Sequence, residues 1–203
     1  MSGPSLSVAK VGGSHLAENP ELRAVLADLA AGADGACIVV PGGGPFADAA
    51  RTAQASLGLD DAFAHRLALD AMGRMAELFC ALEPRLTRCA DPAALADLAR
   101  AGRAPVWDPV ALKAGHAAIP ETWDVTSDSL ALWLATEIGA DRCILVKSAP
   151  VPRAADLAAV DWGALAARGL VDAAFPAFAA AYPGAIILRG PPETATRRAR
   201  ATA

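Results

Sequence analysis

The run Ala36-Cys37-Ile38-Val39-Val40 is apolar at every position and is followed at once by Pro41-Gly42-Gly43-Gly44-Pro45. A strand with one face in water alternates apolar and polar residues, whereas a strand covered on both faces is apolar throughout. Leu6 to Val11 and Cys143 to Lys147 read as strands of the same covered kind, with helical patterns between them. This alternation predicts an α/β chain whose parallel sheet carries helices on both faces. In such sheets ligands sit beyond the carboxyl ends of the strands, which is where the triple glycine falls.

The spacing of apolar residues predicts helices over Pro20 to Ala31, with Asn19 as N-cap, Phe46 to Ser56, and Ala62 to Leu82. Others run from Asp91-Pro92 to near Gly102, from Thr126 or Ser127 to about Ile138, and over Val171 to Ala181. Aspartate caps a helix well and proline suits its first position, so Asp91-Pro92 is a strong start signal. Pro105 to Trp107 and Ala185 to Arg189 read as further strands. Residues 1–203 read as one domain, in which Glu193 to Ala203 form a loose tail without apolar pattern.

A net charge of −4 gives no general attraction to nucleic acid or anionic lipid, so phosphate binding must rest on local groups. No apolar run reaches the ~18 residues of a membrane span. The N-terminus shows no basic stretch followed by an apolar leader. The four cysteines form no CxxC pair, and Cys37 and Cys143 read as small core residues. A cytoplasmic protein with no nucleic-acid or membrane partner is expected. His15 and His116 have no partners at metal-ligand spacing, so no metal site built on histidine is expected.

Three segments carry the candidate chemistry. Lys10-Val11-Gly12-Gly13-Ser14 ends a strand with a cation and two residues lacking side chains. Gly12 and Gly13 let backbone N–H groups approach phosphate oxygens, although an ordinary strand-to-helix turn would read the same. Gly42, Gly43 and Gly44 cost much backbone entropy on folding, which suits a loop whose backbone touches a ligand. The helix that follows opens its N-terminus to an anion. Neither turn is a GxxxxGK[ST] loop or a GxGxxG fingerprint. In the third segment, Trp123 to Leu130, Thr126 or Ser127 can cap a helix and Asp128 gains from its dipole. Asp128 can instead lie between two lysines and hold both in position.

Taken together, Lys10 to Ser14, Pro41 to Asp48, His65-Arg66-Leu67-Ala68, Thr126 to Leu130 and Asp172 to Pro176 resemble the amino acid kinase superfamily over most of the chain. Within it the combination is similar to the kinases that make aminomethylfuran diphosphate from its phosphate in methanofuran and methylofuran biosynthesis. The resemblance implies a three-layer αβα sandwich with a mostly parallel central sheet of about eight strands, and a homo-oligomer. It implies ATP with Mg2+ as phosphoryl donor and a small phosphomonoester as acceptor. Lys10 and Asp128 match the family's catalytic lysine and the carboxylate that organises its lysines. Gly12, Gly13, Gly42, Gly43 and Gly44 match its phosphate-binding turns.

On the acceptor side, Asp48 can take an ammonium and Arg51 or Arg66 a phosphate, with His65, Asp124 and Ser127 as further substrate-binding candidates, and His65 reads equally as a core or dimer-contact residue. Asp48 and Arg51, one turn apart, can equally pair with each other. On the donor side, Lys147-Ser148 stands where many members carry Thr-Asp, and the usual later lysine has no match. Lys147 either supplies that charge from a new position or is a solvated strand end. A nucleoside monophosphate kinase, another small-acid kinase and a non-catalytic nucleotide- or oxyanion-binding storage relative remain alternatives.

Overall fold

The structure is a computed structural model and describes residues 5–13, 19–152 and 160–192. Ser14, His15 and the tail from Glu193 lie outside the described residues, as does the Asn19 side chain. The elements are β1 (Leu6–Val11), α1 (Asn19–Ala30), β2 (Ala36–Pro41), α2 (Gly44–Leu57), α3 (Asp61–Leu82), β3 (Leu86–Cys89), α4 (Pro92–Arg100) and β4 (Ala104–Trp107). A 3-10 helix (Pro109–Ala114) follows, then α5 (Ser127–Glu137), β5 (Arg142–Val146), α6 (Trp162–Ala167), α7 (Phe175–Ala181) and β6 (Ala185–Arg189).

Among the described residues the sheet has six strands, in the order β3-β4-β2-β1-β5-β6, every neighbouring pair parallel. The expected three-layer architecture is present, with six strands where about eight were expected. The strand period of two divides the core into two faces. Leu6 and Val8 of β1, Ile38 and Val40 of β2, and Cys143 and Leu145 of β5 pack with α4, α5, α6 and α7. Ala9 and Val11, Cys37 and Val39, and Ile144 and Val146 face the other way, against α1 and α3. Cys37 and Cys143 are thus core residues, and burial pushes the Cys37 thiol up to about 12.

Local signals account for the element boundaries. Asp60 and Asp91 each accept a backbone N–H of the helix they precede, from Phe63 at 2.6 Å and Ala93 at 3.0 Å. Gly58 ends α2 in the left-handed conformation with φ 65°, a position that favours glycine. The helix expected from Val171 begins instead at Phe175, because Asp172 is drawn onto the start of α5, as described below. No described helix is long and apolar enough to cross a membrane.

Candidate active site

Strand parity brings two cations together. Lys10 follows Leu6 and Val8 on the α5 face of β1, and Lys147 follows Cys143 and Leu145 on the same face of β5. The chain leaves β1 through α1 on one face of the sheet and β5 through α6 and α7 on the other. The adjacent ends of β1 and β5 therefore flank a switch point, where a crevice opens. Asp128, in the first turn of α5, reaches into it and accepts from Lys10 Nζ at 3.0 Å through Oδ1. Lys147 Nζ donates to both carboxylate oxygens, at 2.8 and 2.7 Å. Exposure is only 7% for Lys10, 5% for Asp128 and 9% for Lys147. Lys147 is therefore no solvated strand end.

The cluster carries two positive charges against one negative, out of water. Burial opposes the Asp128 charge, but the ammonium groups of Lys10 and Lys147 outweigh it and hold the carboxyl below its ordinary range. For Lys147, burial and then repulsion from Lys10 bring the ammonium down to about 8, against the pull of Asp128. The chain has only three lysines, Lys10, Lys113 and Lys147, and is otherwise cationic through arginine. Two of the three stand here, each a compact charge on a flexible stem whose pKa burial can shift.

The start of α5 is held from a distance. Thr126 occupies the N-cap position but makes no cap bond with its own side chain. Its hydroxyl donates to Asp172 at 2.9 Å, and its backbone N–H donates to the same oxygen at 3.0 Å. Ser129 donates to Asp172 through its backbone N–H at 3.0 Å and through its hydroxyl as well. Capping by Thr126 or Ser127, one of the readings drawn from the sequence, is thus replaced by a carboxylate more than forty positions away. Asp172 was missed as a site residue, since nothing in the local pattern marks such a long-range bond.

The two glycine turns touch. Gly42 N–H donates to Val11 O at 2.8 Å. A Cβ on Gly13 would lie 2.2 Å from Gly44 Cα, and one on Gly42 would lie 2.9 Å from Gly13 N. Gly44 also has φ 54°, in the left-handed region. The absent side chains therefore serve backbone-to-backbone packing, a constraint additional to ligand approach. Gly13→Ala is expected to lower stability by about 1–3 kcal/mol, because neither backbone can yield as a flexible side chain would. Denaturant unfolding measures this, and unchanged stability would contradict the contact.

Two clefts meet at this seam. The first, of about 500 Å3, is lined by the triple glycine, Asp48, Arg51, His65, Ser127 and an apolar floor that includes Leu69, Met72 and Leu130. The second, of about 490 Å3, is lined by Gly12, Asp128, Lys147, Ser148 and the segment Gly169 to Ala173. Lys10, Gly13, Arg51, Trp123 and Thr126 border both.

Asp48 pairs with Arg51 at 2.9 Å, and the guanidinium lies 4.2 Å from the centre of the Trp123 ring. The Trp123 indole N–H donates to Gln54, which fixes the ring over α2. His65 is buried with Nδ1 3.2 Å from Thr122 O, and burial lowers its pKa. Two candidates are not brought to the clefts. Arg66 pairs with Glu121 at 3.2 Å, and Asp124 is exposed and lines neither cleft. The positions of these two residues give no support to the substrate-binding role expected of them. Trp123, which headed the third segment without a role of its own, borders both clefts.

Comparison with known proteins follows the same lines. A model of the amino acid kinase family matches residues 5–151. No curated protein matches the chain. Among solved structures, a uridylate kinase from Archaeoglobus fulgidus is 22% identical with TM-score 0.63, over 90% of each chain. An aspartate kinase from Synechocystis is 16% identical with TM-score 0.66, covering 92% of this chain and 38% of that one. A UMP kinase from Bacillus anthracis is 13% identical with TM-score 0.63, covering 92% and 88%. At these identities the three structures speak for a shared fold. With its family match spanning β1 to β5 and the sheet that these strands build, the chain belongs to the amino acid kinase family.

Proposed function

We propose that this chain transfers the γ-phosphoryl group of ATP to the phosphate of a small phosphomonoester, giving a diphosphate and ADP. An acceptor phosphate oxygen forms the new bond to Pγ as the bond from Pγ to the β,γ-bridging oxygen breaks, and ADP carries away the negative charge. One observation supports this above the rest: the Lys10–Asp128–Lys147 cluster stands at the seam of two clefts of similar size. Transfer between two anionic ligands needs positioning and fixed positive charge more than acid–base chemistry. Lys10, bordering both clefts, would face the moving phosphoryl group, and Lys147 the donor phosphates.

Among the described residues no group of three or more His, Cys, Asp or Glu side chains could hold an ion alone. Mg2+ would be carried chiefly by the nucleotide, where it would neutralise phosphate charge. For the acceptor, (5-(aminomethyl)furan-3-yl)methyl phosphate suits the first cleft. Its ammonium and phosphate would take the places of Arg51 and Asp48 in their mutual pair, and its ring would lie on Leu69, Met72 and Leu130.

The test is acceptor-dependent ADP release from Mg-ATP, with the product identified by phosphorus NMR. The acceptors are this compound, its amine-free analogue, isopentenyl phosphate and UMP. A preference for the amine-bearing acceptor of about two- to fivefold supports the assignment, since Asp48 and Arg51 are exposed and a solvated charge pair is worth no more than that. Faster turnover of UMP would make the chain a nucleoside monophosphate kinase. Tight nucleotide or oxyanion binding without turnover would make it non-catalytic.

The activity also carries a pH signature. The protonated form of Lys147 is the useful one, and its folded value of about 8 lies below the ordinary 10.5. Activity is therefore full below about 8 and falls as pH rises through it. The limb belongs to kcat/KM for ATP, which reports the free enzyme, and moves to higher pH in kcat, because bound triphosphate favours the charged lysine. Lys147→Arg is expected to abolish the limb while keeping part of the rate. A limb that persists in Lys147→Arg belongs to another group.

A further inference from the structure

We propose that Asp172 is a positioning residue that holds the catalytic carboxylate and its lysines in register from the wall of the donor cleft. The carboxylate is largely buried and receives four donors, two from Thr126 and two from Ser129, which flank Asp128 in the first turn of α5. Three of these donors share Oδ2 and the fourth goes to Oδ1, and a group that only accepts, as an ionised carboxylate does, suits such a set. It thereby sets where α5 begins, and with it the place from which Asp128 reaches Lys10 and Lys147. The same residue and its neighbours Gly169 to Ala173 wall the donor cleft. A nucleotide pressing on that wall acts on the helix carrying Asp128 through one side chain.

Charge supports the same reading. Lys10 and Lys147 carry two positive charges, and Asp128 alone balances one of them. Burial pushes the Asp172 carboxyl above its ordinary value, against the donors from Ser129 and Thr126, and its negative charge favours the Lys147 ammonium. The groups facing Lys147 are Lys10 from β1, Asp128 from α5 and Asp172 from the segment before α7, and of the three only Lys10 disfavours its charge. Arg189 on β6 is turned away in a pair with Asp34 at 2.6 Å, and Cys143 on β5 is a buried thiol held neutral.

The experiment compares wild type with Asp172→Asn and Ser129→Ala. The Lys147 ammonium is titrated through its side-chain carbon shift, a tractable signal in a chain with three lysines, and kcat, KM and their pH profiles are measured beside it. In Asp172→Asn the Lys147 titration and the alkaline limb are expected to move together to lower pH. There kcat falls on the order of tenfold or more, while KM for the acceptor stays within about twofold. Ser129→Ala removes a donor and no charge, so kcat falls and the titration stays in place. A simple helix cap would lower thermal stability in both variants and move neither the titration nor kcat, and that outcome overturns the proposal. Should Asp172→Asn not fold, wild-type kcat in Ser129→Ala overturns it as well. The proposal rests on the kinase reading for its rates alone. If wild type shows no turnover, that reading fails and the Lys147 titration still decides the role of Asp172.

Discussion

Lys10→Ala is expected to lower kcat by on the order of 10²–10³-fold or more while leaving a folded protein. The size follows from the kind of catalysis, since a phosphoryl group in flight is stabilised by preorganised charge in a water-poor site. Lys10 is the buried ammonium that borders both clefts, and Arg51, the other cation bordering both, is held in its pair with Asp48 over the Trp123 ring. The fold survives because Asp128 keeps Lys147, which donates to both of its oxygens. A second signature separates loss of charge from general damage. Repulsion from Lys10 is one cause of the low Lys147 value, so its removal lets Lys147 hold its proton longer. The residual activity is then expected to lose its alkaline limb at higher pH than wild type. Single-turnover rates with Mg-ATP across pH check both parts, and acceptor-dependent turnover at the wild-type rate would end the assignment of Lys10.

Most of the sheet was legible because its central strands are buried on both faces and so are apolar at most positions. The edge strand β3 was not, since Leu86-Thr87-Arg88-Cys89 is short and half exposed, with Arg88 turned out to pair with Glu77 and Asp108. α6 escaped for a related reason, being six residues long and anchored chiefly by Leu165. At the site, Lys10, Asp128 and both glycine turns were readable because each stands where a strand ends or a helix begins. His65 and Arg66 were read together as substrate contacts, yet consecutive helical residues point about 100° apart, and here the two part company. His65 faces the cleft and Arg66 faces Glu121. Lys147 was legible only as a choice between two readings, and strand parity decides it. Had the residues from Cys143 been read at period two, Lys147 would have fallen on the face of α5. Asp172 lay beyond any local pattern, because its partners are 43 and 46 positions away.

Asp128→Asn is expected to cost both activity and fold, and the pH dependence of the second loss tells whether charge is the reason. The amide keeps the shape of the side chain but leaves Lys10 and Lys147 buried face to face, with their shared counterion gone. Removing one partner from a buried ionic set typically costs about 3–5 kcal/mol, because the remaining charge is left uncompensated. The folded protein then resists protonation of Lys147 more strongly than wild type does, so its folded value drops further below the ordinary 10.5. For a lysine with a depressed folded value the unfolded chain binds the extra proton between the two values. Stability consequently rises with pH across that window. The deficit of Asp128→Asn relative to wild type is therefore expected to be largest below the variant's own Lys147 value, to shrink as pH rises to about 8, and to stay level above that, measured by denaturant unfolding at several pH values. A deficit that does not change with pH would point to lost hydrogen bonds rather than charge. Adding Lys147→Met to Asp128→Asn sharpens the distinction, since it leaves a single ammonium near Asp172. If uncompensated charge is the cause, the double variant is more stable than Asp128→Asn alone, yet no more active. Stability regained without activity would separate what the cluster costs the fold from what it does for the transferring phosphoryl group.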